Sequence, residues 1–368
     1  APDLMALVIK EALKRAGGVA PEEVGDVIVG QCMQRLDESV TARLAGLKAG
    51  LPITVPGVAI HRNCASGMQS IIYGAQQIML GDADCILAGG VEVMSRTPYM
   101  LYQARWGARL QHGVMSDGLW DGLTDSYTGL IMGLTAENLA EKYSISREEQ
   151  DVVACRSHNN AEAAIKGGRF KEEIMPVEIP QKKGDPKIFD TDEHVRMGMT
   201  MDQLEKLKPG FKKNGTVTAG NASGINDGAA AVLLMSAEKA KALGCKPIAR
   251  LRGYATAAVE PELMGYGPVP ATQKLLAKTG VKLDDIQLIE LNEAFAAQYL
   301  TCEKLLGLNR DITNVNGSGI ALGHPVGCTG ARIIISLIHE MKRRGNTLGL
   351  ATLCVGGGMG QSSLWEMV

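Results

Sequence analysis

The sequence predicts an α/β fold built from two copies of one plan, and three observations predict it. A strand, a short turn carrying a cysteine, an apolar helix and a strand ending in glycines occur in order between residues 24 and 90. The same order recurs between residues 286 and 358. The helix in each copy is apolar on nearly all sides, so both should lie between two sheets rather than on a surface.

Leu4, Leu7, Val8, Leu13 and Ala16 recur at helical spacing, and Gly17-Gly18 stops that helix. Val24 to Val29, ending at Gly30, is short and mostly apolar, as a buried strand is. Val58-Ala59-Ile60 follows as another strand, then Asn63-Cys64-Ala65-Ser66-Gly67, a helix from Met68 to about Leu80, and a strand from Cys85 to Ala88 closed by Gly89-Gly90. Strand, helix and strand at this spacing make a βαβ unit with parallel pairing. In the second copy, Ile286 to Leu291 is strand-like, Gly317 to Gly330 is glycine-rich, a helix runs from about Ala331 to Arg343, and Leu348 to Cys354 is a strand ending at Gly356-Gly357-Gly358. Cys64-Ala65-Ser66-Gly67 aligns with Cys328-Thr329-Gly330, a duplication whose period is far longer than that of any solenoid.

Residues 95–225 are richer in Lys, Glu and Asp and hold half of the His, which reads as a polar insertion over the carboxyl ends of one sheet, where ligands of α/β layers bind. The division expected is residues 1–94 as a first half completed by 226–246, 95–225 as the insertion and 247–368 as a second half. A net charge of -2 gives no broad reason to bind nucleic acid. The longest apolar runs are too short to span a bilayer. Eight Cys without any C-x-x-C spacing point to free thiols in a reducing, cytoplasmic setting rather than to a disulfide scaffold or a metal site.

Cys64 follows a strand and opens a helix, where the helix dipole and unpaired backbone N–H groups favour a thiolate. Against that stands the plain reading of a small buried apolar residue, which is what most free cysteines are. His324, in Gly323-His324-Pro325, lies in the counterpart of the Cys64 turn, so the duplication can bring the two side chains together as nucleophile and base. Cys354, Asn292 and Glu293 end strands of the same half and should converge on the same mouth.

Asn63-Cys64-Ala65-Ser66-Gly67, Asn292-Glu293-Ala294-Phe295, Asn316 to Pro325 and Cys354 to Gly360 resemble, in order and spacing, the four active-site motifs of the thiolase family. Met132 to Asn138 and Val217 to Gly224 are similar to thiolase segments as well, and the likeness spans the chain. It implies a five-layer αβαβα sandwich, assembled as a homodimer or homotetramer, that cleaves 3-ketoacyl-CoA with CoA or condenses two acyl-CoA molecules in reverse. It implies Cys64 as the nucleophile that carries the acyl group, and His324 as the base for Cys64 and later for the CoA thiol. Cys354 would be the acid or base at the α-carbon. His324 with a water held by Asn292 would form one oxyanion hole, and the backbone N–H groups of Cys64 and Gly356 the other. The two thiols should then titrate as a coupled system. For CoA, which is a substrate rather than a cofactor, the likeness points to Arg196, Leu204, Phe211, Ala219, Ser223, Met264, Phe295 and Met132. Arg196 can equally be a solvated surface charge.

The sequence departs from the family pattern in two places. Thiolases begin with a strand ahead of the helix that here starts near Leu4. Such a strand is expected inside the first sheet, supplied by an earlier segment of the native polypeptide, which leaves an organelle signal open. Short-chain members place His before the methionine matching Met132, where this chain has Ile131, and that leans toward a broad 3-ketoacyl-CoA range over an enzyme dedicated to acetoacetyl-CoA. A ketosynthase would use two His where this chain has Asn292 and His324, and a non-catalytic lipid-binding relative would lack one of the three reactive groups.

Overall fold

The structure is a computed structural model that describes residues 1–110 and 112–368. The first half runs through α1 (Pro2–Arg15), β1 (Asp26–Gly30), α2 (Thr41–Ala49), β2 (Gly57–Ile60), α3 (Ser66–Leu80) and β3 (Cys85–Val93). The insertion holds two short hairpins, β4 (Tyr99–Met100) with β5 (Ser116–Asp117) and β6 (Val177–Ile179) with β7 (Lys187–Phe189). Its helices are α4 (Gly118–Gly122), α5 (Met132–Lys142), α6 (Arg147–Lys166) and α7 (Met201–Glu205). The chain returns through β8 (Asp227–Met235) and α8 (Ala237–Ala242). The second half comprises β9 (Ala249–Ala258), α9 (Pro268–Thr279), β10 (Leu288–Leu291), α10 (Ala296–Leu306), α11 (Gly319–Leu322), α12 (Val326–Arg344), β11 (Leu348–Val355) and β12 (Met359–Met367).

Two four-stranded sheets result, in the orders β2-β1-β3-β8 and β10-β11-β12-β9. In the first, β1 is parallel to β2 and β3, with Gly30 opposite Ile60 and Gly90, and β8 closes antiparallel to β3. In the second, β10 is parallel to β11, and β12 runs antiparallel to both β11 and β9. Helices α3 and α12 fill the space between the sheets, where Met68, Ile71, Ile72, Ile333, Ile334 and Leu337 share one core with Ala88, Leu353 and Val355. Met5, Ile9, Val27, Val29 and Leu87 seat α1 on the outer face of the first sheet. Leu275, Tyr299, Leu350 and Leu364 seat α9 and α10 on the outer face of the second. Five layers follow from these three cores.

Three expectations need correction. β3 continues to Val93 through Gly89 and Gly90, which do not end it but admit close neighbours. A Cβ on Gly89 would lie 2.0 Å from the Ala230 carbonyl oxygen, and one on Gly90 2.2 Å from that of Gly327. Helix α12 starts at Val326, ahead of Ala331, because its two glycines serve helix contact rather than a loop, and its last turn is charged with Lys342, Arg343 and Arg344. The first sheet has no internal gap, since its four strands are hydrogen-bonded neighbours in succession. The strand that opens the second half, β9, lies at a sheet edge, and the matching place in the first sheet is the outer side of β8. The expected place inside the sheet is therefore wrong.

The insertion is anchored to the second half. Ala136, Ala140, Val153 and Ala154 of α5 and α6 share a core with Phe295, Ala296 and Tyr299. Buried Glu137 accepts the backbone N–H groups of Thr216 and Val217 at 2.9 Å each, fixing the segment that leads to Ser223. Among the described residues, no helix is long and apolar enough to cross a membrane.

Helices α3 and α12 meet backbone to backbone. A Cβ on Gly67 would lie 2.8 Å from the Ala331 nitrogen, and one on Gly330 2.5 Å from the Met68 nitrogen. Gly330→Ala must push the helices apart, and we expect it to lower stability by about 1–3 kcal/mol, as overpacked cores do. A urea midpoint equal to that of the parent would contradict this contact.

Candidate active site

The turn from β2 into α3 is tightly braced. Asn63 adopts the left-handed conformation at φ 43°, which Asn tolerates better than most residues, and its Nδ2 donates to the Gly356 carbonyl at 2.8 Å. The Asn63 carbonyl in turn accepts the Ser66 hydroxyl at 2.7 Å and the Cys32 thiol at 3.1 Å. Half-buried Cys64 is thereby held at the start of α3, with the backbone N–H groups of Gly356 and of Cys64 itself directed at its sulfur. These donors do not make it a thiolate. Burial outweighs them and, with the Glu92 charge, holds the thiol at about 11. The expectation that the helix start favours a thiolate thus fails on desolvation.

His324 sits between α11 and α12, its N–H donating to Asn226 Oδ1 at 3.0 Å. Its Nδ1 lies 2.6 Å from Thr329 Oγ1, and that hydroxyl also lies 3.0 Å from the Pro325 carbonyl. A carbonyl can only accept, so when the single Thr329 proton goes to Pro325 the imidazole donates from Nδ1 to the hydroxyl. The lone pair is left on Nε2, which is what a base requires. Burial, helped by the Arg332 charge, lowers His324 to about 3, so the ring is neutral across the physiological range.

Cys354, in β11, is fully buried and is pushed far up by burial and by the nearby sulfurs of Cys64 and Cys302. Asn292 follows β10; its Nδ2 is 3.5 Å from His324 Nδ1, and its buried Oδ1 has no protein partner among the described residues. A Cβ on Gly356 would lie 3.2 Å from Asn63 Nδ2 and 3.6 Å from Met132 Sδ, so that position is tight as well as a donor. Glu293 does not join the mouth. Its carboxylate accepts from Ser157 at 2.5 Å and Asn314 at 2.8 Å, bracing α6 against the second half.

Of the residues named for CoA, Phe295 meets Phe211 edge to face at 6.4 Å between ring centres, and Leu204, Met264, Met132 and Phe211 belong to the same apolar cluster. Leu204 and Met264 are only 1% and 2% exposed, so they back this wall rather than line an open surface. Ser223 is pinned beside Phe295 by its N–H to the Ala294 carbonyl at 2.9 Å, and Ala219 is exposed nearby in sequence. Arg196 is exposed, and its guanidinium makes no ion pair or hydrogen bond among the described residues; its backbone N–H donates to His158 Nδ1 at 3.1 Å. Sequence reasoning missed Thr329 and Asn226, which engage the His324 ring and its backbone N–H. Asn63 was named only as part of a motif. The one available signal was the place of Thr329 within the Cys328-Thr329-Gly330 repeat of the first turn.

Comparison with known proteins agrees with this architecture. The thiolase N-terminal domain matches residues 1–238 and the thiolase C-terminal domain residues 245–367. The chain belongs to the thiolase family of acyltransferases. An acetyl-CoA acetyltransferase of Chromobacterium violaceum is 53% identical over 361 residues, covering 98% of this chain and 92% of the relative. The crystal structure of the Bacillus anthracis acetyl-CoA acetyltransferase superposes with a TM-score of 0.97 at 54% identity, covering 100% of this chain and 93% of that one. Human mitochondrial 3-ketoacyl-CoA thiolase in complex with CoA gives 0.96 at 44% identity, covering 100% and 92%.

Two outcomes follow from the geometry. With His324 neutral down to about 3, lowering the pH through 6.5 should not titrate it in the free enzyme; an acid limb of kcat/KM at 6 to 7 that disappears in His324→Asn would contradict the assignment. Thr329→Val leaves Nδ1–H without its acceptor, and we expect kcat/KM to fall about 10- to 100-fold, the effect of about 1–3 kcal/mol for one buried unpaired donor. Unchanged kinetics would mean that the tautomer is set by another group.

Proposed function

We propose that this protein cleaves 3-ketoacyl-CoA with free CoA, giving acetyl-CoA and an acyl-CoA shortened by two carbons, and runs the reverse condensation when acetyl-CoA is in excess. What supports the reading is that Cys64 lies near Cys354, that the turn after Cys64 packs on the helix start after His324, with a Cβ on Gly67 only 3.0 Å from the Gly327 carbonyl, and that His324 is neutral with its Nδ1 already engaged by Thr329. Cys64 passes its proton to His324 Nε2 and attacks C3. The oxyanion forms against the N–H groups of Cys64 and Gly356. The C2–C3 bond breaks, and the electron pair stays on C2 as an enolate whose thioester oxygen faces His324 and a water on Asn292. Cys354 gives its proton to C2. His324 returns the proton of Cys64 to Cys354, then takes the proton of the incoming CoA thiol as that sulfur attacks the acyl-Cys64 thioester, and gives it to Cys64 as Cys64 leaves. No cofactor enters this cycle.

Both sulfurs start protonated because the site is dry, so each proton transfer is driven by substrate rather than by a resting thiolate. Asn292, where a ketosynthase would have His, argues for chemistry that needs a second thiol acid. On the substrate side, Arg196 offers an unpaired guanidinium for the nucleotide end of CoA, and Ser223, Ala219, Met132 and the Phe211–Phe295 wall suit its pantetheine arm. Ile131 in place of a His favours a broad chain length, which would place the enzyme in fatty-acid degradation. A dedicated acetyl-CoA acetyltransferase is the second reading, favoured by the names of two of the relatives. Among the described residues the outer edge of β2 is unpaired, and the exposed apolar Val58, Tyr73, Met79 and Leu80 on β2 and α3 suit a second copy in a homodimer or homotetramer. Eight free thiols suit a reducing compartment such as the cytoplasm.

The test is thiolysis of acetoacetyl-CoA and of a long-chain 3-ketoacyl-CoA, compared as kcat/KM. Cleavage of both is the expected result, cleavage of acetoacetyl-CoA alone supports the second reading, and cleavage of neither overturns the assignment. Cys354→Ala should lower kcat about 10²–10⁴-fold, the usual contribution of a positioned acid, while still accepting an acyl group on Cys64. Full turnover in that variant would remove Cys354 from the mechanism.

A further inference from the structure

Glu92, on β3, is completely buried and forms no ion pair among the described residues. Its carboxylate is held mainly by backbone N–H groups, with the Cys32 thiol beside it; burial pushes the carboxyl up and these donors pull it down. Oε2 accepts the N–H of Cys32 at 3.0 Å and of Gly327 at 2.8 Å, and Oε1 accepts that of Met33 at 3.0 Å. A buried carboxylate without a cation is costly unless hydrogen bonds satisfy it. Gly327 is the second residue of α12, so this one lies at a helix start, where an anion is favoured. Gly327 also follows His324 by three residues. The loop of Cys32 and Met33 reaches the other way, through the Cys32 thiol on the Asn63 carbonyl, to the residue before Cys64. A Cβ on Gly327 would come within 2.8 Å of Glu92 Oε2 and 2.7 Å of Gln31 Cα, so the approach is closed to any side chain.

We propose that Glu92 is a positioning residue for the thiolase reaction, clamping the start of α12, and with it the His324 loop, to the segment that supports the Cys64 turn. The inference rests on the function proposed above. A neutral glutamine cannot reproduce the clamp, because its amide NH2 would face backbone donors that themselves need an acceptor. The carboxylate has a second effect, since its charge opposes ionisation of the three thiols around it: Cys64 before α3, Cys32 after β1 and Cys328 in α12. It thus helps to keep Cys64 protonated until His324 takes the proton.

The experiment compares the full-length parent, E92Q and E92D by thiolysis and by the pH dependence of Cys64 alkylation with iodoacetamide, read on the Cys64 peptide by mass spectrometry. In E92Q we expect kcat to fall about tenfold or more, the scale of one unmade buried hydrogen bond, with little change in KM, and the alkylation midpoint to move to lower pH. In E92D the charge remains but the reach is shorter, so kcat should fall while the midpoint stays near that of the parent. A merely structural carboxylate would not separate the two variants in midpoint. Parental kcat and midpoint in E92Q overturn the proposal, and if E92Q does not fold, parental kcat in E92D overturns it. A parent that alkylates normally but cleaves no 3-ketoacyl-CoA would sink the proposed function, while the alkylation midpoints would still report on the clamp.

Discussion

The structure depends on the approach of α3 and α12 without side chains between their first turns. Gly67, Gly330, Gly90 and Gly327 face opposing backbone at distances where no Cβ fits. Two helices that open after matching turns can cross only at those ends, and the crossing brings one half's Cys64 turn to the other half's His324 loop. The cores on either side, with Ile71, Ile72, Ile333 and Leu337 between the sheets, hold that crossing in place. Catalytic geometry is here a by-product of how two copies of one motif pack.

A dry site follows from that packing, and dryness decides the protonation states. Helix starts and backbone donors would favour a thiolate at Cys64, yet desolvation is the larger effect and leaves it a thiol. The same desolvation keeps His324 neutral, with the Thr329 hydroxyl against its Nδ1. In the proposed reaction a neutral thiol and a neutral imidazole exchange a proton only as charge develops on a substrate that two N–H groups can stabilise. Glu92 fits this scheme as an anion placed beyond the reacting atoms, in contact with backbone from both halves.

The layers and the approach of the Cys64 turn to the helix start after His324 were legible in the sequence, because apolar runs, turn glycines and a duplicated order carry that information locally. What was not legible depended on contacts between distant segments. Gly89-Gly90 and Gly327 look like breaks until their neighbours are known to be backbone from another element, and only then does the longer β3 or the earlier start of α12 make sense. The edge position matching β9 could not be read from strand order along the chain. Glu293 belongs to the motif but turns toward Ser157 and Asn314, a direction that no one-dimensional pattern contains. Nor does a sequence announce how far burial will shift a thiol.

The most direct test of the account is the mass of the protein after brief exposure to acetyl-CoA, without a second substrate and with acid quenching. The account predicts one added acetyl group per chain, located on the Cys64 peptide and removed by free CoA. Turnover with acetyl on another residue, or with no acyl-enzyme at any time point, would contradict it.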